Sequence, residues 1–257
     1  MPETRRNLIY DLIEKKGEVT IAELSKMFPD VSSMTIRRDL DVLENENKIV
    51  KIKGGAKSIS HLSRSMIKNN NVEDDYVRRE MLNPSLKDEI ARKAAPLAEE
   101  GRSIFIDAGS TMMSLASNLL DGRYYVITSG VNVALEMSLN KHAKVHLLGG
   151  QLNRSNFCVS GAGALEQIKE MNIDIAFMGA SGFSAEGGFT NGDFNECELK
   201  KAVIKKAKKT IILMDSTKLG KNMPYTFCQL SDIDALVIDK PSEKLLGLVR
   251  KTGTELV

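Results

Sequence analysis

Between residues 103 and 239 six short apolar runs follow one another: "SIFIDAGS", "YYVITSG", "KVHLLGG", "IDIAFMGASG", "TIILMDS" and "IDALVID". Each is rich in β-branched residues and too short for a stable helix, and most are separated by segments with helical apolar spacing. A chain that alternates in this way has few ways to bury both kinds of element. A mainly parallel sheet covered by helices does so, which makes α/β the expected fold class of this region. Ahead of it, "SLKDEIARKAAPLAEEG" reads as a helix running to Gly101.

In open α/β sheets ligands gather beyond the carboxyl ends of the strands, and the small and polar residues of this chain sit there. "DAGSTMMSLA" ends a strand near Asp107 and opens a helix after Gly109. The first amides of that helix, with the hydroxyls of Ser110 and Thr111, suit a phosphate. Thr128 and Ser129 close a second strand, Gly149 and Gly150 a third, and Gly179 to Gly182 a fourth. One such loop is ordinary for an αβ turn; four that converge indicate a small anionic ligand. "NGDFNECELKKAVIKKA" adds Asp193 and Glu196 at a helix start, with Lys200 one turn beyond Glu196, and "DSTKLGK" leaves Lys218 in a loop. Carboxylates there suit hydroxyl donors and lysines add positive charge. The same residues also suit helix capping and a solvated surface, so both uses stay open.

The first sixty residues follow a different pattern. Leu8, Ile9, Leu12 and Ile13 make one apolar stripe on a first helix, which ends near Gly17. "TIAE" from Thr20 to Glu23 is a capping box opening a short second helix, with Ala22, Leu24, Met27 and Phe28 expected to face inward. After Pro29 and Asp30, Ser32 or Ser33 caps a third helix, whose buried stripe is Ile36, Leu40 and Leu43. Met34, Thr35, Arg37, Arg38 and Asp41 fall on its flanks and outer side. Paired with Asp41 or Glu44, the two arginines would be ordinary surface charge. The order of elements points elsewhere: helix, capped helix, tight turn and basic helix form a helix-turn-helix, whose second member enters the major groove. "KIVKIKGGAK" then alternates, with Val50 and Ile52 on one face, Lys51 and Lys53 on the other and Gly54 and Gly55 at a turn. It reads as a β-ribbon wing that touches phosphates. The candidate DNA-contacting set is Ser32, Ser33, Met34, Thr35, Arg37, Arg38, Lys51 and Lys53.

"GEVTIAELSKMF", "VSSMTIRRDLDVLE" and "KIKGGA" resemble the DNA-binding domain of the DeoR family of bacterial sugar-metabolism repressors. Here "FPDVS" is one residue longer in the turn than the usual form, and Asn47 stands where glycine is more common, a position asparagine tolerates. From Ile104 to Lys221 the chain is similar to that family's sensor domain, with "DAGST", "LLGG", "GASG", "ECELKKAVI" and "DSTKLG" at the family's motifs. Asn195 replaces a second acid and "TSG" the more frequent "TNS". The resemblance implies a ribose-phosphate isomerase-like fold and a phosphorylated sugar as effector. The effector set is then Asp107, Gly109, Ser110, Thr111, Thr128, Ser129, Gly150, Asp193, Glu196, Lys200 and Lys218.

Two readings follow: a transcriptional regulator, acting as a repressor of a carbohydrate operon, or a sugar-phosphate isomerase-like enzyme with an accessory DNA-binding domain. Asp193, Glu196 and Lys218 have the chemistry an isomerase needs. The wing and recognition helix favour regulation, since an enzyme gains nothing from them. The expected boundaries are 1–58 for the winged helix-turn-helix, 59–82 for a linker and 83–257 for the sensor. A net charge of +2 over 257 residues leaves DNA binding to local placement of charge. No metal or other cofactor is expected: Cys158, Cys197 and Cys228 form no C-x-x-C, and His142 and His146 fall in a strand-like stretch. No apolar run approaches the ~20 residues of a membrane span and the start of the chain lacks an export signal, so a cytoplasmic protein is expected. Double-stranded operator DNA, a phosphorylated sugar and a second copy of the chain, in a dimer or tetramer, are the expected partners.

Overall fold

A computed structural model describes residues 2–46, 48–52, 54–58, 76, 79, 80 and 82–257. Asn47, Lys53 and most of the expected linker lie outside the described residues. The chain divides into two compact units, residues 1–72 and 73–257. The division falls inside the expected linker, and Tyr76 to Leu82 go with the second unit.

The first unit contains α1 (Pro2–Lys16), β1 (Glu18–Thr20), α2 (Ile21–Met27), α3 (Ser33–Asn45), β2 (Ile49–Ile52) and β3 (Gly55–Ser58). The strands form an antiparallel sheet in the order β1-β3-β2. Its core joins Ile9, Ile13, Leu24, Ile36, Leu40, Leu43 and Ile49 to Val19 and Ala56. The capping box is present, with Thr20 Oγ1 accepting from the Glu23 amide at 3.2 Å and Glu23 Oε2 from the Thr20 amide at 2.8 Å. Ser32, one of the two serines considered, caps α3 by accepting from the Thr35 amide at 3.2 Å. Three inward-facing expectations fail: Leu8, Ala22 and Met27 are exposed. The stripe of α2 is Ile21, Leu24 and Phe28, which the short helix turns toward α3 at the expense of its neighbours. On β2 the buried residue is Ile49, while Val50 is exposed, because the ribbon lays its Ile49 face on α3.

β3 reaches β1 only because residue 55 is glycine: a Cβ there would sit 2.1 Å from the Val19 carbonyl oxygen and 3.0 Å from Thr20 Cα. Both are backbone atoms and cannot move aside cheaply. Gly55→Ala is expected to destabilise the first unit by about 1–3 kcal/mol. Calorimetry of the full chain checks this, and a transition at the parent's temperature would refute the close approach.

The second unit begins with α4 (Pro84–Ala94) and alternates strands and helices: β4 (Ser103–Ile106), α5 (Ser110–Ser117), β5 (Tyr125–Thr128), α6 (Val131–Met137), β6 (Lys144–Leu147), β7 (Gln151–Asn153), β8 (Cys158–Ser160), α7 (Ala162–Lys169) and β9 (Ile173–Gly179). It continues with β10 (Gly182–Ser184), β11 (Gly188–Asn191), α8 (Phe194–Lys206), β12 (Ala207–Leu213), β13 (Tyr225–Cys228), β14 (Ala235–Val237), α9 (Glu243–Thr252) and β15 (Glu255–Leu256). The main sheet has the order β15-β14-β12-β9-β4-β5-β6 with every neighbouring pair parallel. All six expected strands are in it; β15, the β7–β8 hairpin and the antiparallel β10–β11–β13 sheet are additions. The helix expected to reach Gly101 stops at Ala94 and tightens to a 3₁₀ turn through Leu97, because Pro96 has no amide to continue the ladder.

Alternate residues of the same strands feed two cores. Phe105, Ala176, Met178, Ile212 and Leu236 pack with α7, α8 and α9 through Ile168, Val203 and Leu245. Ile104, Ile106, Phe177, Ile211 and Val237 pack on the other face with α4, α5 and α6 through Ile90, Leu115 and Val133. The chain leaves β4 toward β5 and β6, then returns to β9, β12, β14 and β15 on the other side. The strand order therefore reverses between β4 and β9, where open sheets leave a crevice.

Candidate functional site

The crevice beyond β4, β9 and β12 holds a pocket of about 160 Å³. Its lining contains Asp107, Gly109, Ser110, Thr111, Glu196, Lys200 and Lys218 from the expected set, together with Arg79, Lys87, Asp215 and Lys221. The helix α5 opens on it: Gly109 takes φ +111° at the N-cap and no side chain caps the helix, so its first amides face the pocket without an intrahelical acceptor.

The floor is a buried ionic cluster. Lys200 Nζ donates to Asp107 Oδ2 and to the Gly179 carbonyl at 3.1 Å, and lies 3.5 Å from Glu196 Oε1. Asp107 Oδ2 also accepts from the Gly179 amide at 3.0 Å. Glu196 accepts from Asn191 Nδ2 at 2.7 Å and from Asn156 Nδ2 at 2.5 Å, one to each carboxylate oxygen. Burial disfavours the Lys200 ammonium, but the carboxylates of Asp107 and Glu196 outweigh it and hold the lysine above its ordinary pKa. Burial raises the pKa of Glu196, against the pull of Lys200. With their oxygens engaged by protein donors, Asp107 and Glu196 serve the cluster.

The wall is cationic. Burial pushes both Lys87 and Lys218 below the ordinary lysine pKa, while Asp215 pulls the other way. Asp215 is itself turned inward, accepting from the Thr217 amide at 3.1 Å and from the Thr217 hydroxyl. Desolvated ammonium groups beside open helix amides have the charge and the donors that a small dianion would need.

Four expected residues lie elsewhere. Thr128 Oγ1 accepts from the Gly130 amide at 3.0 Å, which ends β5. The Ser129 hydroxyl stands 3.5 Å behind Asp107 Oδ1, away from the opening. Gly150 sits just after β6, where a Cβ would stand 2.5 Å from the Ser160 carbonyl oxygen. Asp193 caps α8, its Oδ1 accepting from the Glu196 amide at 2.8 Å, which is the capping use left open by the sequence. Of the missed residues, Lys87 carried a signal, since it shares the helical stripe of Ile90, Ala91 and Ala94. Asp215 and Lys221 lie within "DSTKLGK"; Arg79 carried none.

In the first unit Arg37, Arg38, Ser32, Ser33 and Met34 are exposed and Thr35 half-buried. Thr35 Oγ1 lies 3.0 Å from Ser32 Oγ. The acids that would neutralise the arginines are occupied. Asp39 accepts from Arg5 Nε at 2.6 Å, and Asp41 and Glu44 are paired with Lys51. Among the described residues neither Arg37 nor Arg38 has an ion pair, so α3 presents two unneutralised guanidinium groups. Lys51, expected to touch phosphates from the ribbon, is drawn onto α3 by these carboxylates, and the hydrogen bond to Asp41 raises its pKa. Lys53 lies outside the described residues. Among the described residues no acidic, cysteine or histidine cluster is built to hold a metal.

A winged helix-turn-helix and an α/β domain with an anion-suited pocket, carried on one chain, define a DNA-binding transcriptional regulator with a sensory domain. The chain belongs to the DeoR family: the DeoR-like helix-turn-helix domain matches residues 5–61 and the DeoR C terminal sensor domain residues 82–240. It is 35% identical to the HTH-type transcriptional regulator GolR of Listeria innocua over 95% of this chain and 93% of that one. It is 30% identical to the glycerol-3-phosphate regulon repressor of Escherichia coli, covering 94% and 92%, and 30% identical to the HTH-type transcriptional repressor GlcR of Bacillus subtilis, covering 99% and 95%. Among solved structures it is similar to ribose 5 phosphate isomerase A from Neisseria gonorrhoeae, with a TM-score of 0.39 and 15% identity over 52% of each chain. A probable sor operon regulator from Shigella flexneri gives a TM-score of 0.42 and 12% identity over 66% and 89%. With its relatives named as regulators, the isomerase reading gives way. No helix among the described residues is long and apolar enough to cross a membrane.

Proposed function

We propose that this regulator represses a carbohydrate-utilisation operon in the cytoplasm and that a phosphorylated sugar or polyol, bound in the second unit, controls its hold on DNA. The observation that carries the reading is the cationic wall of Lys87, Lys218 and Lys221 facing the uncapped start of α5. The α5 amides with Ser110 and Thr111 take the phosphate, and the lysines balance its charge. The relative named as a glycerol-3-phosphate regulon repressor supports the ligand class. Arg37 and Arg38 read DNA from the major groove, Ser32, Ser33, Met34 and Thr35 pack along the contact, and Lys51 and Lys53 approach phosphates. Two copies place two recognition helices on half-sites about 34 Å apart, so at least a dimer binds the operator.

A thermal-shift screen of sugar phosphates, each beside its unphosphorylated parent, tests the sensor. A ligand at 100 times its dissociation constant stabilises by about 2.7 kcal/mol. The phosphorylated member of one pair is expected to raise the melting temperature and the neutral member to leave it unchanged. Equal shifts within every pair, or none, would remove the phosphate from the reading.

A further inference from the structure

The wall of the pocket that carries Lys87 is also the end of the chain's connecting segment. Tyr76 is buried, its ring meets Phe157 edge-on at 5.0 Å, and its hydroxyl accepts from Asn132 Nδ2 at 2.9 Å. Arg79 donates to the Ser155 carbonyl at 2.9 Å, and Asn83, in the left-handed region at φ 51°, turns the chain into α4. Between these points the backbone is held by Lys87: its ammonium donates to the carbonyls of Arg79 and Leu82 and reaches that of Glu80 at 3.4 Å. The Arg79 carbonyl also accepts from the Ser110 hydroxyl at 3.5 Å.

Two groups that line the pocket, Lys87 and Ser110, therefore direct their hydrogens to the connecting segment. We propose that phosphate and the connecting segment compete for Lys87, so that filling the pocket loosens the backbone at Arg79, Glu80 and Leu82 and relays occupancy to the DNA-binding unit along the chain. This rests on the phosphate reading of the site. A phosphate oxygen adds opposite charge to the hydrogen bond, so it binds the ammonium more strongly than a neutral carbonyl does and draws its N–H donors away. Among the described residues no carboxylate lies within ion-pair distance of Lys87, and burial disfavours its charge, so a dianion is the stronger partner. Linkage makes the effect reciprocal: whatever frees the segment tightens phosphate binding, and whatever clamps it weakens phosphate binding.

Hydrogen exchange of the full chain, with inorganic phosphate as probe and chloride at equal ionic strength as control, tests this directly. The amides of Glu80, Leu82 and Asn83 are expected to exchange several-fold faster with phosphate, while those of β4 and β9 stay protected. Lys87→Met should show the fast exchange without phosphate and no further change with it, and Lys87→Arg should restore slow exchange. Bound to a duplex selected by the protein from a random pool, Lys87→Met should hold the affinity of the phosphate-loaded parent and ignore phosphate. Parent exchange that is unchanged or slowed, while a thermal shift shows phosphate bound, would overturn the relay and leave the site standing. Absence of a thermal shift with phosphate and with every sugar phosphate would remove the site, and the relay with it. The parent measurement decides even if the Met variant does not fold.

Discussion

Lys200→Met is expected to lower the stability of the second unit by about 3–5 kcal/mol, a large share of what holds a domain of this size together. The lysine is 3% exposed and bonds Asp107, at 1%, beside Glu196, at 6%. Methionine fills the volume but leaves two buried carboxylates without a cation, and their mutual repulsion forces one to take up a proton. The sign of the pH dependence follows. Without Lys200 the folded state raises the carboxylate pKa above its unfolded value, so the loss is fully present at neutral pH and shrinks as the pH falls toward the ordinary carboxylate range. Urea titrations of parent and variant at neutral and mildly acidic pH check this. A difference that is small at neutral pH, or that grows on acidification, would contradict the ionic account of the floor.

Arg37→Ala with Arg38→Ala should abolish recognition of a selected operator while leaving the fold unchanged, since both side chains are exposed and have no ion pair among the described residues. A good arginine–guanine contact discriminates by about 1–3 kcal/mol, so Arg38→Ala alone should reduce specific affinity roughly 10- to 100-fold and non-specific affinity far less. Lys51→Ala acts differently because Lys51 is tied to Asp41 and Glu44. Its removal frees Asp41, which stands one turn beyond Arg37, to neutralise that arginine. The variant is therefore expected to lose specific affinity as well as part of the salt dependence. Equilibrium binding to selected and scrambled duplexes at several salt concentrations separates these outcomes. Parent-like binding by the double arginine variant would detach α3 from DNA recognition.

These two sites were legible to different depths. On α3 the burial of Ile36, Leu40 and Leu43 and the exposure of the arginines followed from helical geometry alone. That Asp41 and Glu44 belong to Lys51 rather than to the arginines did not, because β2 returns to the helix only through the folded ribbon. In the second unit Glu196 and Lys200 are neighbours by helix spacing, whereas Asp107 meets Lys200 across 93 residues of sequence. Seen singly, each charge suited a ligand; brought together, they satisfy one another.

The sequence by itself determined the six strands of the parallel sheet, the helices between them and the two faces of α3. Those features rest on short-range periodicity and on propensity. Tertiary structure decided which polar residues are engaged: it turned Asp193 into a cap, Ser129 into a support for Asp107, and Lys87 into the holder of the connecting segment. A buried polar group must find a partner wherever the fold places one, and that partner's distance along the chain leaves no periodic trace.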